Sequence, residues 1–266
     1  MRAAGEPSPA FKAKYIRAVS TKAELKRVRS LHQKKYREEE GVFLVQGIKL
    51  VQELLASAWE VEAVHCTQPI AERLQHPAVQ VWPVHDLERM GTLEHGNEVI
   101  AVVRKPMPAA PQPLAHDELV LALDGIADPG NLGTLLRIAD WFGVRRIWCS
   151  ADTVDEFNPK CIQASMGSFL RVTVVRGDLA SRLEEARGSG VALYTASMEG
   201  ASVFDVRLQR PAILVLGSES HGVSQGVRAL GATTIAVPRA GAAESLNVAT
   251  AASALCMEFL RQVRNP

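Results

Sequence analysis

Paired cysteines, a Gly-x-Ser-x-Gly turn, a long uninterrupted apolar run and a marked excess of one charge are all missing from this chain of 266 residues. Cys66, Cys149, Cys161 and Cys256 stand far apart without a CxxC spacing, which argues against a zinc ribbon and a disulfide framework and predicts reduced, buried thiols. His65 beside Cys66 makes no metal pair, because neighbours on a strand point to opposite faces; no metal is expected. The longest near-continuous apolar stretch, VATAASALCMEFL at 248–260, is too short to span a bilayer and reads as a buried helix. MRAAGEPSPAFKAKYI at the start lacks the apolar segment of a secretory signal, so a cytoplasmic location and no membrane association are expected. No GxGxxG follows the first strand of the C-terminal half and no GxxxxGK[ST] occurs, which leaves dinucleotide and Walker-type phosphate binding unsupported.

What is present is a soluble, globular composition with a local charge asymmetry hidden inside a net charge of +1. Between Lys12 and Arg37 stand ten Lys or Arg against one acid, Glu24. Leu25, Val28 and Leu31 interleave with Lys22, Lys26 and Arg29 at helical spacing, giving an apolar stripe and a basic face. Such a face suits nucleic-acid phosphates, and Lys34, Lys35 and Arg37 are its candidate RNA contacts. The plainer alternative is a solvated helix balanced by Glu38, Glu39 and Glu40.

The proline-rich PMPAAPQP, 106–113, reads as a linker between a domain over 1–105 and a second over 114–266. Before it, VFLVQ, VEAVHC, VQVW and VIAVV read as strands, with GIKLVQELLAS an amphipathic helix, predicting a small α/β domain. After it, LVLALD, RIWCS, VTVV, VALYTA, AILVLG and TTIAVP alternate with helix-length segments, predicting a mostly parallel sheet covered on both faces. Ligands in such sheets gather at the carboxyl ends of strands. Three ends here carry turn chemistry: DGIADPGNLG (124–133), GSESHGVS (217–224) and PRAGAAESLN (238–247).

The second of these, with Ser218, Ser220 and His221 between Gly217 and Gly222, tests poorly as a nucleophile with its base. With Gly217 as the first position of the motif the third is Glu219, and Ser220 is preceded at two residues by Ser218 rather than glycine. Glycines that let the backbone approach a ligand are the better reading.

The strings LALDGIADPGNLGTLLRIADWFG, LVLGSESHG and VPRAGAAESLNVATAA resemble, in order, the three motifs of the SpoU (TrmH) branch of the SPOUT RNA methyltransferases, over about 114–266. SLHQKKYREEEGVFLVQGIKLVQELL is similar to the small L30e-like substrate-binding domain that precedes the catalytic domain in many members. The resemblance implies transfer of methyl from S-adenosylmethionine to a ribose 2'-hydroxyl of structured RNA, ribosomal rather than transfer RNA. It also implies a deep trefoil knot in the C-terminal domain and a homodimer. By the same resemblance Asn131, Arg137, Glu219, Ser245 and Asn247 are the catalytic candidates, with Gly133 in the first motif. Thr195, Leu216, Gly217, Val237, Pro238 and Leu246 are the cofactor candidates, and Lys160, in NPKCIQASMG, is a further RNA candidate. The chain departs from the pattern at Arg239, where methionine is usual, and at Gln46, where glutamate is usual.

Arginine, always protonated, suits a cation beside a developing alkoxide better than a base. Its plain alternative is an ion pair with Asp140 at i+3. A helix starting near Asn131 would let that residue cap it and Gly133 permit close approach, while Ser245 and Asn247 read equally as caps of the last helix.

Overall fold

This computed structural model describes residues 21–92, 97–107 and 112–264. Lys12, Lys14 and Arg17 of the basic stretch, and 108–111 of the proline-rich segment, lie outside the described residues. The chain divides into two compact units, Met1–Pro106 and Met107–Pro266.

In the first unit, α1 (Lys22–Ser30) begins at Thr21, whose side chain accepts from the Glu24 N–H at 3.2 Å. Leu25, Val28 and Leu31 are buried along one stripe, as their spacing requires. Then come α2 (Lys34–Glu40), β1 (Val42–Gln46), α3 (Ile48–Leu55), β2 (Val61–Cys66), α4 (Gln68–Leu74), β3 (Val79–Val81), α5 (Val84–Met90) and β4 (Val99–Arg104). The sheet order is β1-β4-β2-β3, with β4 antiparallel to both neighbours and β2 parallel to β3. Leu44, Ile100 and Val102 meet the α1 stripe and Leu87 and Met90 of α5 in one core. Arg37, expected on the exposed basic face, is instead 1 % exposed and donates to the carbonyls of Leu31 and His32 at 2.9 Å each. A guanidinium has enough donors to close the bend between two helices, and that use removes it from solvent.

The second unit comprises β5 (Leu119–Asp124), α6 (Pro129–Trp141), β6 (Arg146–Ser150), α7 (Pro159–Ser165), β7 (Thr173–Gly177), α8 (Leu179–Gly188), β8 (Ala192–Ser202), β9 (Ala212–Gly217), α9 (Gln225–Ala229), β10 (Thr233–Ala236) and α10 (Val248–Arg264). All five strand pairs in the order β10-β8-β9-β5-β6-β7 are parallel. The near-continuous apolar runs of β5 and β9 are what a sheet buried on both faces demands. On one face α8 and α9 pack on Val120, Ala122, Ile213 and Val215. The helix α6 packs against α7 and α10.

The chain runs outward from β5 to β6 and β7, then returns to lay β9 against the other side of β5. This reversal puts Asp124, the last residue of β5, in register with Gly217, the last of β9. A crevice at the carboxyl ends is expected where strand order reverses. Beside it β8 pairs with β10 at Thr195↔Thr234 and resumes only at Ala201↔Ile235, so 196–200 leave the ladder. Gly200 permits the return, since a Cβ there would lie 2.6 Å from the Ile235 carbonyl carbon.

Candidate active site

Asp128 starts α6. Its carboxylate accepts from the Asn131 N–H at 2.9 Å, with Pro129 and its fixed φ behind it. The helix therefore starts ahead of Asn131, which is not the cap: its side chain is free to reach outward. Lys160 of α7 donates to the other Asp128 oxygen at 2.8 Å. That ammonium, with the Asn131 N–H, holds the Asp128 carboxyl below the usual range. Gly133 makes its close approach to protein, because a Cβ there would lie 2.4 Å from the Cys161 carbonyl oxygen in α7.

Arg137 sits six residues after Asn131, about 9 Å further along the axis. It is exposed and, among the described residues, has neither a hydrogen bond nor an ion pair. Its alternative partner Asp140 is occupied: one oxygen accepts from Ser168 Oγ at 2.8 Å and from Arg171 Nε at 2.9 Å. The plain surface-pair reading is thereby removed.

The second corner is a tight hairpin. Ser218 and Gly222 exchange N–H···O bonds at 3.0 and 2.9 Å, and Gly222 has φ 66°. Gly217 cannot carry a side chain, since a Cβ would lie 2.2 Å from the Gly222 carbonyl carbon. Ser220 and His221 do face each other, Oγ to Nδ1 at 2.7 Å, on an exposed turn. Among the described residues no carboxylate orients that ring, as a triad requires.

Glu219 stands at the hairpin tip and gathers the other two corners. Its Oε1 accepts from Asn131 Nδ2 at 3.2 Å, from Asn247 Nδ2 at 2.8 Å and from the Val248 N–H at 3.3 Å. Asn247 Nδ2 also donates to Asn131 Oδ1 at 2.9 Å. Asn247 Oδ1 caps α10, accepting from the Ala249 N–H at 2.9 Å. Three segments separated by up to 116 positions thus meet on one carboxylate oxygen. One donor, the Val248 N–H, belongs to the first turn of α10, where the helix dipole favours negative charge.

The remaining candidates fall into clear groups. Leu216 is buried next to the last residue of β9, Thr195 is buried within β8 where its ladder with β10 breaks, and Val237 is half-buried just past β10. Pro238 and Ser245 are exposed, and Ser245 lies ahead of the cap rather than at it. Leu246 is 46 % exposed beside Asn247, a large apolar side chain left in the open next to the polar cluster. Arg239 donates to the Ala243 carbonyl at 3.3 Å, folding its loop on itself. Gln46 is buried, its Oε1 accepting from the Thr92 N–H at 3.2 Å. Lys160 is engaged by Asp128, and Lys34 and Lys35 form i,i+4 pairs with Glu38 and Glu39 at 3.5 and 3.8 Å.

Burial pushes the Cys66, Cys149 and Cys256 thiols up to about 12, so they are neutral at physiological pH. No group of three or more metal-ligating side chains occurs among the described residues. No described helix is long and apolar enough to cross a membrane. Asp128 is the participant that the motif reading passed over. Its signal was the Asp-Pro-Gly at 128–130, a cap followed by proline at the first helical position.

The donor set fits S-adenosylmethionine. The break in β8 after Thr195 and the ends of β9 and β10 belong to adjacent strands; Thr195, Leu216 and Val237 there carry uncharged side chains, and at Gly217 backbone replaces a side chain. Half-open Val237 and Leu246 offer apolar surface to a flat base.

Known proteins resemble this chain in sequence and fold. The SpoU rRNA Methylase family model matches residues 118–257, and the MRM3-like substrate binding domain model matches residues 22–109. The 23S rRNA (guanosine(2553)-2'-O)-methyltransferase RlmP of Bacillus subtilis is 32% identical over 85% of this chain and 92% of its own. A 23S rRNA (uridine(2479)-2'-O)-methyltransferase of Streptomyces viridochromogenes is 28% identical over 98% of this chain and 96% of its own. The crystal structure of the SpoU methyltransferase AviRb from the same organism, in complex with AdoMet, superposes with a TM-score of 0.83 at 27% identity, covering 92% of this chain and 99% of that one.

Proposed function

The chain belongs to the SpoU rRNA methylase family, and on that premise we propose that it methylates a ribose 2'-hydroxyl of ribosomal RNA with S-adenosylmethionine as donor. The relatives named above carry guanosine and uridine in their names but the same 2'-O position, which supports a sugar rather than a base as the shared target. The observation that carries the reading is the meeting of Asn131 of α6, Glu219 of the hairpin after β9 and Asn247 at the cap of α10, with Arg137 further along α6 and without a partner among the described residues.

Thr195, Leu216, Gly217, Val237, Pro238 and Leu246 would hold the donor, which when bound supplies an activated methyl group. The Asn131–Glu219–Asn247 cluster locks the three loops together, so that the ends of β9 and β10 keep a fixed distance from α6. Arg137 brings an unneutralised guanidinium to the hydroxyl. As the new O–C bond forms and the S–C bond breaks, the hydroxyl proton leaves to water or to a phosphate oxygen of the RNA. The cation stabilises the charge growing on that oxygen. Ser245 lies close in sequence to the cluster and meets the ribose.

The proposal includes a homodimer, the trefoil knot of the family's catalytic domain and a cytoplasmic location. Trp141 at the end of α6 is 82 % exposed and Met257 of α10 is 54 % exposed, surface that a second copy would cover. Placing β10 beyond β8 while α10 returns to α6 supports a chain that re-crosses itself. The N-terminal unit binds the RNA through its shape and backbone.

Incubation with methyl-labelled S-adenosylmethionine and total RNA lacking the modification, followed by alkaline hydrolysis, tests this. A 2'-O-methyl group blocks cleavage of its own phosphodiester, so label is expected in an alkali-resistant dinucleotide. Label on a base would refute ribose chemistry. No label on any RNA would point to a binding protein on the same fold.

A further inference from the structure

The basic helix α1 has two charged faces with opposite fates. On one, Arg27 is held by Glu40, Glu62 and Glu24 at 2.6, 2.7 and 3.3 Å, so its charge is neutralised three times over. On the other, Lys22, Lys26 and Arg29 follow at i, i+4 and i+7, all exposed and, among the described residues, without an ion pair. That second face forms one wall of a groove. The groove, of about 690 Å³, runs between it and α5, and its far wall carries Arg89. Among the described residues the only acid lining it is Asp86, 3.8 Å from Arg89. Tyr36 and Trp82 line it as well. Trp82 is 3 % exposed, and its indole N–H has no partner among the described residues.

We propose that this groove seats one unpaired nucleotide of the RNA substrate, its base against Tyr36 and the edge of Trp82 and its flanking phosphates on Lys22, Lys26 and Arg29. The inference rests on the RNA-methylating reading above and gives the N-terminal unit a defined contact. The volume is in the range of roughly 300–1,000 Å³ that takes a small ligand. Four cations against one carboxylate select a polyanion. An aromatic lining between cations selects a splayed base over a paired one, because only an unstacked base can bring its flat face there. The choice also reassigns the phosphate contacts: Lys34 and Lys35 are partly neutralised by Glu38 and Glu39, and Arg37 is buried, whereas Lys22, Lys26 and Arg29 have no ion pair among the described residues.

The test uses the full chain and fluorescein-labelled RNA, comparing a hairpin with an unpaired loop against a blunt duplex of equal length over a range of salt. Replacing Lys22, Lys26 and Arg29 together by alanine should weaken hairpin binding at least tenfold. It should flatten the slope of log K against log salt by about 2, three single-strand phosphates at roughly 0.7 each. Melting temperature and binding of S-adenosylmethionine alone should not move, and the Lys34→Ala/Lys35→Ala variant should keep most of the slope. A photocrosslinking residue at position 26 should mark an unpaired nucleotide of the loop.

RNA binding by the triple variant with unchanged affinity and slope overturns the groove and leaves the methyltransferase reading intact. Equal losses on hairpin and duplex overturn the unpaired nucleotide. Competition by adenosine monophosphate as strong as by the loop overturns the RNA occupant in favour of a free nucleotide. A crosslink into residues 1–20 overturns it in favour of the chain's own segment. Failure of the unaltered chain to bind any RNA overturns both readings.

Discussion

Replacing Glu219 by alanine removes in one step the acceptor shared by Asn131 Nδ2, Asn247 Nδ2 and the Val248 N–H. The two amides stand near solvent and can turn to water, so each loss is worth about 0.5–1 kcal/mol, the low end for a hydrogen bond. Val248 is buried, and its N–H has less access to a replacement, which adds about 1 kcal/mol. The sum, about 2–3 kcal/mol, lowers the melting temperature of a unit this size by roughly 4–12 °C, at about 2–4 °C per kcal/mol. Glu219→Gln keeps an acceptor oxygen but loses the charge, and falls between the two. Because the three donors act through one atom, Glu219→Ala and Asn247→Ala are not additive. The double variant is expected to be more stable than the sum of single losses predicts, by roughly 0.5–3 kcal/mol. Thermal unfolding of the four proteins, followed together with single-turnover methyl transfer, measures this. Strict additivity, or an alanine variant that melts with the parent, would refute the idea that one carboxylate holds the three loops.

Gly217→Ala forces a Cβ to within 2.4 Å of Gly222 and Val223 backbone atoms and should cost at least roughly 1–3 kcal/mol. It should also weaken binding of S-adenosylmethionine, whereas Gly188→Ala, with nothing within 4 Å, should be neutral or stabilising in a melting experiment. Asn247→Asp keeps the helix cap but sets a second carboxylate where an amide now donates to Glu219 Oε1 at 2.8 Å. The pair then holds a proton more tightly folded than unfolded, so this variant should gain stability relative to the parent as pH falls from 8 towards 5, and a flat difference would refute the pairing. His32 has its imidazole pushed below the ordinary value by burial, with Arg37 and Arg29 adding to the effect and the Met90 carbonyl, at 2.6 Å from Nε2, opposing it. A folded value below the unfolded one gives stability that is complete above about pH 6.5 and is lost as pH falls towards the folded value; His32→Gln should flatten that decline in thermal melts.

Much of the sheet was legible because buried parallel strands are written as unbroken apolar runs: LVLALD, RIWCS and AILVLG correspond to β5, β6 and β9 residue for residue. Helix starts were less so. Asp128 moved the start of α6 to Pro129, and Asn247 rather than Ser245 moved that of α10 to Val248, because the competition among several capping residues is decided by which oxygen can reach the free N–H groups. The departure of 196–200 from the ladder depends on the partner strand, and nothing local in VALYTASMEG marks it. Arg37 shows the same limit for charge, since a cation two residues after paired lysines reads as surface until its carbonyl partners are in place. At the candidate site the motifs named the residue types. That Glu219 is the meeting point, and that Asp140 is taken by Ser168 and Arg171 and leaves Arg137 without a partner among the described residues, are facts of tertiary contact.

The proposed methyl transfer turns on an unneutralised guanidinium beside the reacting hydroxyl, and Arg137→Ala probes it directly. With rRNA lacking the modification, single-turnover methyl transfer should fall by about 100-fold or more, the scale of losing an electrostatic stabiliser, while calorimetric affinity for S-adenosylmethionine and the melting temperature stay those of the parent. Transfer at the parental rate in that variant would contradict the account.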